Sequence, residues 1–220
     1  MTTIYNQQKK CPNCGKLNEI TMVGSTNSFG AMDLDTRPPE MQRSTMRYWL
    51  QSCTKCGLSV SDLSKVDKET VEYFRSEEFK QKHASERFKS LAERFWTAHL
   101  LSLKSGNTRE AAGNILHAAW ASDDSIDTQS STRAREIFIE TLEESGNDPS
   151  FLSPNEPLAG YLMLSDINRR ISRFDEAKRL AQHVVENGEG FIQKIGQFVI
   201  DLCEKRDSGC YNVQGQKVAF

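Results

Sequence analysis

Cys11-Pro12-Asn13-Cys14-Gly15 and Cys53-Thr54-Lys55-Cys56-Gly57 write one pattern, C-x-x-C-G, twice, with 38 residues between the pairs. A two-residue spacer lets both sulfurs of a pair face one ion while the amides of the turn point at them. The glycine permits the positive φ that closes such a knuckle. One C-x-x-C alone could be a redox dithiol; a second of the same build points to a tetrahedral metal site. Four thiolates leave no open position for water or substrate. The expectation is one structural Zn2+ on Cys11, Cys14, Cys53 and Cys56 that shapes the chain and does no catalysis.

Outward from the knuckles, short β-prone segments, Asn18 to Val23 and Thr45 to Gln51, lie beside the two cysteine pairs. This is the arrangement of a zinc ribbon, and residues 1–64 read as that module. Its loop, Gly24 to Glu40, is long, and loops of this length are usually functional or mobile.

Past residue 65 the period turns helical. Phe88, Leu91, Ala92, Phe95, Trp96, His99, Leu100 and Leu103 step by three and four along one face. Two weaker helical segments, near Thr70 and Glu77, precede it. Gly106 stops that helix and Asn107-Thr108-Arg109-Glu110 caps the next, to about Trp120. Further helices are expected over 128–144, from a start at Ser153-Pro154-Asn155-Glu156 to about Ile171, over 173–186, and over 191–204, with Phe191, Ile195, Phe198 and Leu202 as the last one's stripe. Residues 65–206 thus read as one helical domain and 207–220 as an irregular tail.

An internal echo organises the helices. Glu110-Ala111 followed by His117 matches Glu176-Ala177 followed by His183, 66 positions later, and Phe95 corresponds to Tyr161. A period near 33 belongs to paired-helix repeats, and 66 would be two of them. Ala111 and Ala177 stand where one helix must approach its partner closely. In the second unit Tyr161, Leu164, Phe174, Ala177 and Ala181 fall on tetratricopeptide consensus positions, while Asn168 and Ser172 depart from the usual aromatic and glycine. The fold class expected is mainly α: a tetratricopeptide-like array of antiparallel helical hairpins behind a small N-terminal β zinc ribbon.

The two knuckles, with Thr26-Asn27-Ser28-Phe29-Gly30 and Asp33-Leu34-Asp35-Thr36-Arg37-Pro38-Pro39 between them, resemble a bacterial family of unknown function. Its members join an N-terminal zinc ribbon to tetratricopeptide-like helices. The resemblance implies the fold and supplies no activity. Met32 stands where that pattern has a proline.

Charge and composition exclude more than they assign. The net charge is -2, which predicts no general attraction to nucleic acid. Residues 1–60 carry seven Lys/Arg against four Asp/Glu, +3, so anion binding would fall at the cysteine-bearing end. Met1 to Lys10 is polar and no run nears the ~20 apolar residues of a membrane span, which suits a cytoplasmic protein with Cys203 and Cys210 as ordinary thiols. No H-E-x-x-H, phosphate-binding glycine loop, dinucleotide fingerprint or nucleophile elbow is present, so neither an enzyme nor a small-molecule substrate is expected. Asp33, Asp35 and Arg37 form the candidate loop, either docking the ribbon onto the first helices or facing a partner. The functional expectation is an adaptor whose helical array holds a protein partner. The alternative is a nucleic-acid-associated ribbon using Lys9, Lys10, Lys16, Arg37, Arg43, Arg47 and Lys55, with Tyr5, Phe29, Tyr48 and Trp49 as stacking faces.

Overall fold

The computed structural model describes residues 1–146 and 148–218, so the last two residues of the tail 207–220 lie outside it. The described chain is mainly helical, with two small antiparallel sheets. It divides into two compact units. The first comprises Met1–Ser28 and Glu40–Ala134; the second comprises Phe29–Pro39 and Arg135–Phe220.

In the first unit, β1 (Thr3–Lys10) pairs with β2 (Leu17–Ser25), from Lys10 opposite Leu17 to Thr3 opposite Ser25. Strand β1 is a correction to the sequence reading. It is polar because its side chains are almost all exposed, so it shows no alternation between core and solvent. The second β-prone segment is also corrected: Arg43–Tyr48 forms a 3-10 turn, and only Gln51–Ser52 (β3) pairs with Ser59–Val60 (β4). The turn lets Met46 and Leu50 join Ile20, Leu58 and Leu63 in the ribbon's core.

Helices α1 (Lys68–Arg75) and α2 (Glu77–Ala84) start at Asp67 and Ser76, whose side chains cap the amides of Thr70 and Phe79. Next come α3 (Ser90–Lys104) and α4 (Thr108–Asp124), the latter running past the Trp120 expected as its end. Asn107 caps α4 by accepting from the Glu110 amide and donating to its carboxylate at 2.9 Å. The helix α5 (Thr128–Ser145) starts in the first unit and ends in the second.

In the second unit, α6 (Pro157–Arg170), α7 (Phe174–Asn187) and α8 (Gly190–Glu204) pack as successive antiparallel partners around Ala177, Ala181, Val184, Ile195 and Val199. The expected start at Ser153 is overturned. Pro157 takes the first helical position, and Asp148 caps a separate 3-10 turn, Pro149–Leu152. That turn presses on α6 so closely that a Cβ on Gly160 would lie 2.1 Å from the Pro149 carbonyl oxygen. Phe191 is 63% exposed and drops out of the α8 stripe, whose inner face is Ile195, Val199 and Leu202. The tail after Asp207 is ordered by pairing. Asp33 bridges Asn212, the Leu34 amide donates to the Tyr211 carbonyl at 2.9 Å, and the Val213 amide donates to that of Met32.

The 66-residue echo is a structural repeat, seen within each unit. The Asn107 amide donates to the Ser102 carbonyl at 2.9 Å, and the Arg173 amide to that of Asn168 at 2.9 Å. His99 donates from Nδ1 to the Ala111 carbonyl at 2.9 Å, and Ser165 from its hydroxyl to that of Ala177 at 2.6 Å. Gly106 and Ser172 both take positive φ at the hairpin turn. Both alanines are fully buried. Ala177→Leu should therefore overpack the α6–α7 crossing and cost about 1–3 kcal/mol, read as a lower denaturation midpoint. An unchanged midpoint would mean the crossing has room that the contacts deny.

Candidate metal centre

The two knuckles are built alike. The Cys11 amide donates to the Lys16 carbonyl at 2.8 Å and that of Cys53 to Leu58 at 2.9 Å. The Gly15 and Gly57 amides each return to the first cysteine of their pair at 2.9 Å. Both glycines take the left-handed φ the sequence requires, +73° and +77°.

This brings Cys11, Cys14, Cys53 and Cys56 together, with their sulfurs all within 4.8 Å of one another. Across the pairs, Cys11 Sγ lies 3.7 Å from that of Cys56, and Cys14 Sγ 3.5 Å from that of Cys53. A tetrahedron of ~2.3 Å metal–sulfur bonds puts its sulfurs ~3.8 Å apart. The spacing fits one ion, so the four side chains could hold a metal such as zinc.

Neighbours tune the sulfurs. Burial raises the Cys53 thiol, but the amides of Cys56 and Lys55 and the adjoining thiols outweigh it and bring it down to about 6. Burial pushes the Cys11 thiol up to about 12. Filling the site at neutral pH must displace protons, so metal affinity falls in acid. Asn18, which the sequence did not single out, is buried against the site. Its Nδ2 donates to Cys53 Sγ at 3.6 Å, and its Oδ1 accepts from the Thr54 amide at 3.0 Å. The only sequence signal for it was a position at the strand start beside a knuckle.

The ribbon leans on helices of its own unit. Arg94 of α3 donates to Ser52 Oγ, the Leu50 carbonyl and the Arg47 carbonyl at 2.7, 2.6 and 3.2 Å. Trp49 sets its ring edge-on to His117 of α4, with centroids 4.8 Å apart. An open groove of about 400 Å³ runs beside the second knuckle, lined by Cys53, Cys56, Phe74, Phe79, His83 and Arg94.

The candidate loop lies in the second unit. Asp33, Asp35 and Arg37 are all buried. Arg37 Nε donates to Asp33 Oδ2 at 2.6 Å, and Asp35 Oδ2 accepts from Arg135 of α5 at 2.9 Å, with Arg170 of α6 at 3.9 Å. Beside them Asp166 pairs with Arg169 at 2.6 Å. Cys210 Sγ sits 3.4 Å from Asp33, and burial pushes its thiol up to about 12. Burial likewise raises the Cys203 thiol to about 11. Neither belongs to the metal-ligating group.

The repeated histidines meet the matched aromatics: His117 packs on Phe95 at 5.2 Å and His183 on Tyr161 at 4.3 Å. His99 is fully buried and His117 half-buried, and burial lowers both to about 4, against the Ala111 hydrogen bond in the case of His99. The unfolded chain protonates them near 6.5. Their contribution is therefore complete above pH 6.5 and is lost as pH falls toward 4, by up to about 3 kcal/mol each. Urea unfolding at stepped pH should show this decline, and His117→Phe should flatten it relative to the parent. Parallel curves would remove His117 from the account.

No helix of the described residues is long and apolar enough to cross a membrane. No family model matches the chain, and neither a curated protein nor a solved structure does.

Proposed function

We propose that this is a zinc-binding adaptor of the cytoplasm, whose tetratricopeptide-like hairpins hold a protein partner while the ribbon caps the first of them. The observation that carries the reading is the hairpin repeated at 66 residues with the same turn and the same alanine crossing. Helical hairpins of this kind, each taken within its own unit, offer faces suited to binding other proteins. A closed four-sulfur site supports a structural metal, and zinc is the ion such a donor set suits best. The reading is of a binding protein and not of an enzyme. It agrees with the resemblance to ribbon-plus-helix proteins and goes beyond it in assigning the helices the partner.

The second reading, a nucleic-acid-associated ribbon, draws on the exposed strand β1 with Lys9, Lys10 and the half-exposed Tyr5. Against it, Arg37 is buried in an ion pair and Trp49 packs on His117. The test has two arms. Affinity purification of the zinc-loaded protein from native cells should recover one partner stoichiometrically, and surface substitutions on α7 should abolish the recovery. Titration with short oligonucleotides should give no binding with a steep salt slope. The opposite pair of results would replace the adaptor reading with the second.

A further inference from the structure

We propose that Arg94 and Arg75, both from the helices, are positioning residues of the metal centre, supplying the positive charge that a divalent tetrathiolate requires. The inference rests on the metal reading above. Four thiolates around a divalent ion carry a net charge of 2 - 4 = -2. Cys11 and Cys53 are almost fully buried, and buried charge is costly unless it is compensated.

The ribbon's own lysines do not meet this need. Lys9 pairs with Asp62 at 3.3 Å, and Lys10, Lys16 and Lys55 are exposed to solvent. Arg94 is half-buried and spends its donors on neutral oxygens, those of Ser52, Leu50 and Arg47. Among the described residues no carboxylate pairs with it, and burial alone lowers its pKa. A desolvated guanidinium with no counter-ion faces the groove on which Cys53 and Cys56 also open. A half-buried cation with no carboxylate partner thus borders a site that becomes doubly anionic on loading.

Arg75 holds the first knuckle from an exposed position. From the last turn of α1 its Nε donates to Asn13 Oδ1 at 2.6 Å, and its Nη2 reaches the Asn13 carbonyl oxygen. Asn13 is a spacer residue between Cys11 and Cys14, so one arginine grips the turn of the first pair and the other grips the strand entering the second. Partners behind the ligands of a metal site commonly set its affinity by ~10–100-fold. The metal centre is then a composite of ribbon and helices, and the excised ribbon would bind metal more weakly than the whole chain.

Co2+ serves as the probe on the full chain, because tetrathiolate coordination gives it sulfur-to-metal charge-transfer and ligand-field bands. Arg94→Gln should weaken Co2+ binding about 10–100-fold and release Zn2+ faster to a chelator. Arg94→Lys keeps the charge and should recover much of that loss, and Arg75→Gln, at an exposed position, should weaken binding a few-fold with the fold intact. Unchanged affinity in both Gln variants would overturn the proposal, as would an equal loss in Arg94→Lys and Arg94→Gln, since only the hydrogen bonds would then matter. A wild-type chain that gives no tetrathiolate bands would instead sink the metal reading itself.

Discussion

Asp35→Ala should unfold the second unit at far lower denaturant than the parent, with a loss of about 3–5 kcal/mol. Asp35 is fully buried, and its Oδ2 accepts from Arg135 at 2.9 Å with Arg170 nearby at 3.9 Å. Removing one member of a buried ion pair leaves the others charged and uncompensated, which costs more than the pair itself contributes. The group around the loop includes Asp33, Asp35 and Asp166 with Arg37, Arg135, Arg169 and Arg170, so the loss of one buried carboxylate falls on several buried guanidinium groups at once. Asp35→Asn should lose nearly as much, because it keeps the shape and not the charge. Chemical denaturation followed by hydrogen exchange on α6, α7 and α8 reads the effect. If Asp35→Ala unfolds with the parent, the segment is held by Leu34 and its backbone pairing, and the ionic account is wrong.

Cys53→Ser is expected to be the most damaging change to the first unit. Structural zinc in small modules contributes apparent binding free energies of roughly 10–16 kcal/mol, as large as the whole stability of a domain. Without the fourth sulfur, β1 to β4 should lose protection, and α1 should loosen with them because Arg75 loses its hold on Asn13. The α3–α4 hairpin should persist on its own crossing at Ala111. Metal analysis should fall from one equivalent to well below it. A parent protein that holds no metal and still shows an ordered ribbon would refute the structural-metal reading.

The sequence revealed what depends on short-range pattern. The knuckles were legible because C-x-x-C-G is a local device, and the hairpins because their faces repeat every three or four residues. The 66-residue echo located Ala111 and Ala177, while the packing of His117 and His183 on the matched aromatics came only from the structure, and Ser172 adopts the glycine-like φ that its position demands despite being serine. The start of α6 was misread because Ser153-Pro154-Asn155-Glu156 has the composition of a cap, whereas the chain spends those residues on a turn before Pro157. Strand β1 shows no alternation in the sequence because nearly all of its side chains face solvent. The burial of Asp33, Asp35 and Arg37 was illegible for another reason. Their partners, Arg135, Arg170 and Cys210, are 100 or more positions away, and in one dimension an arginine on a helix looks the same whether it meets water or a carboxylate.

The assignment of Phe29–Pro39 to the second unit also fixes an order of events during synthesis. Both knuckles leave the ribosome by residue 57, so the metal site can close while most of the helices are still unmade. The segment around Leu34 must wait for Tyr211, its backbone partner, 177 residues later. At roughly 5–20 residues per second that is a delay of about 10–35 s. Through this interval Leu34 stays uncovered between Asp33 and Asp35, whose charges discourage aggregation of the waiting chain. The carboxylates that later lock the segment into its core thus first act as its solubilising escort.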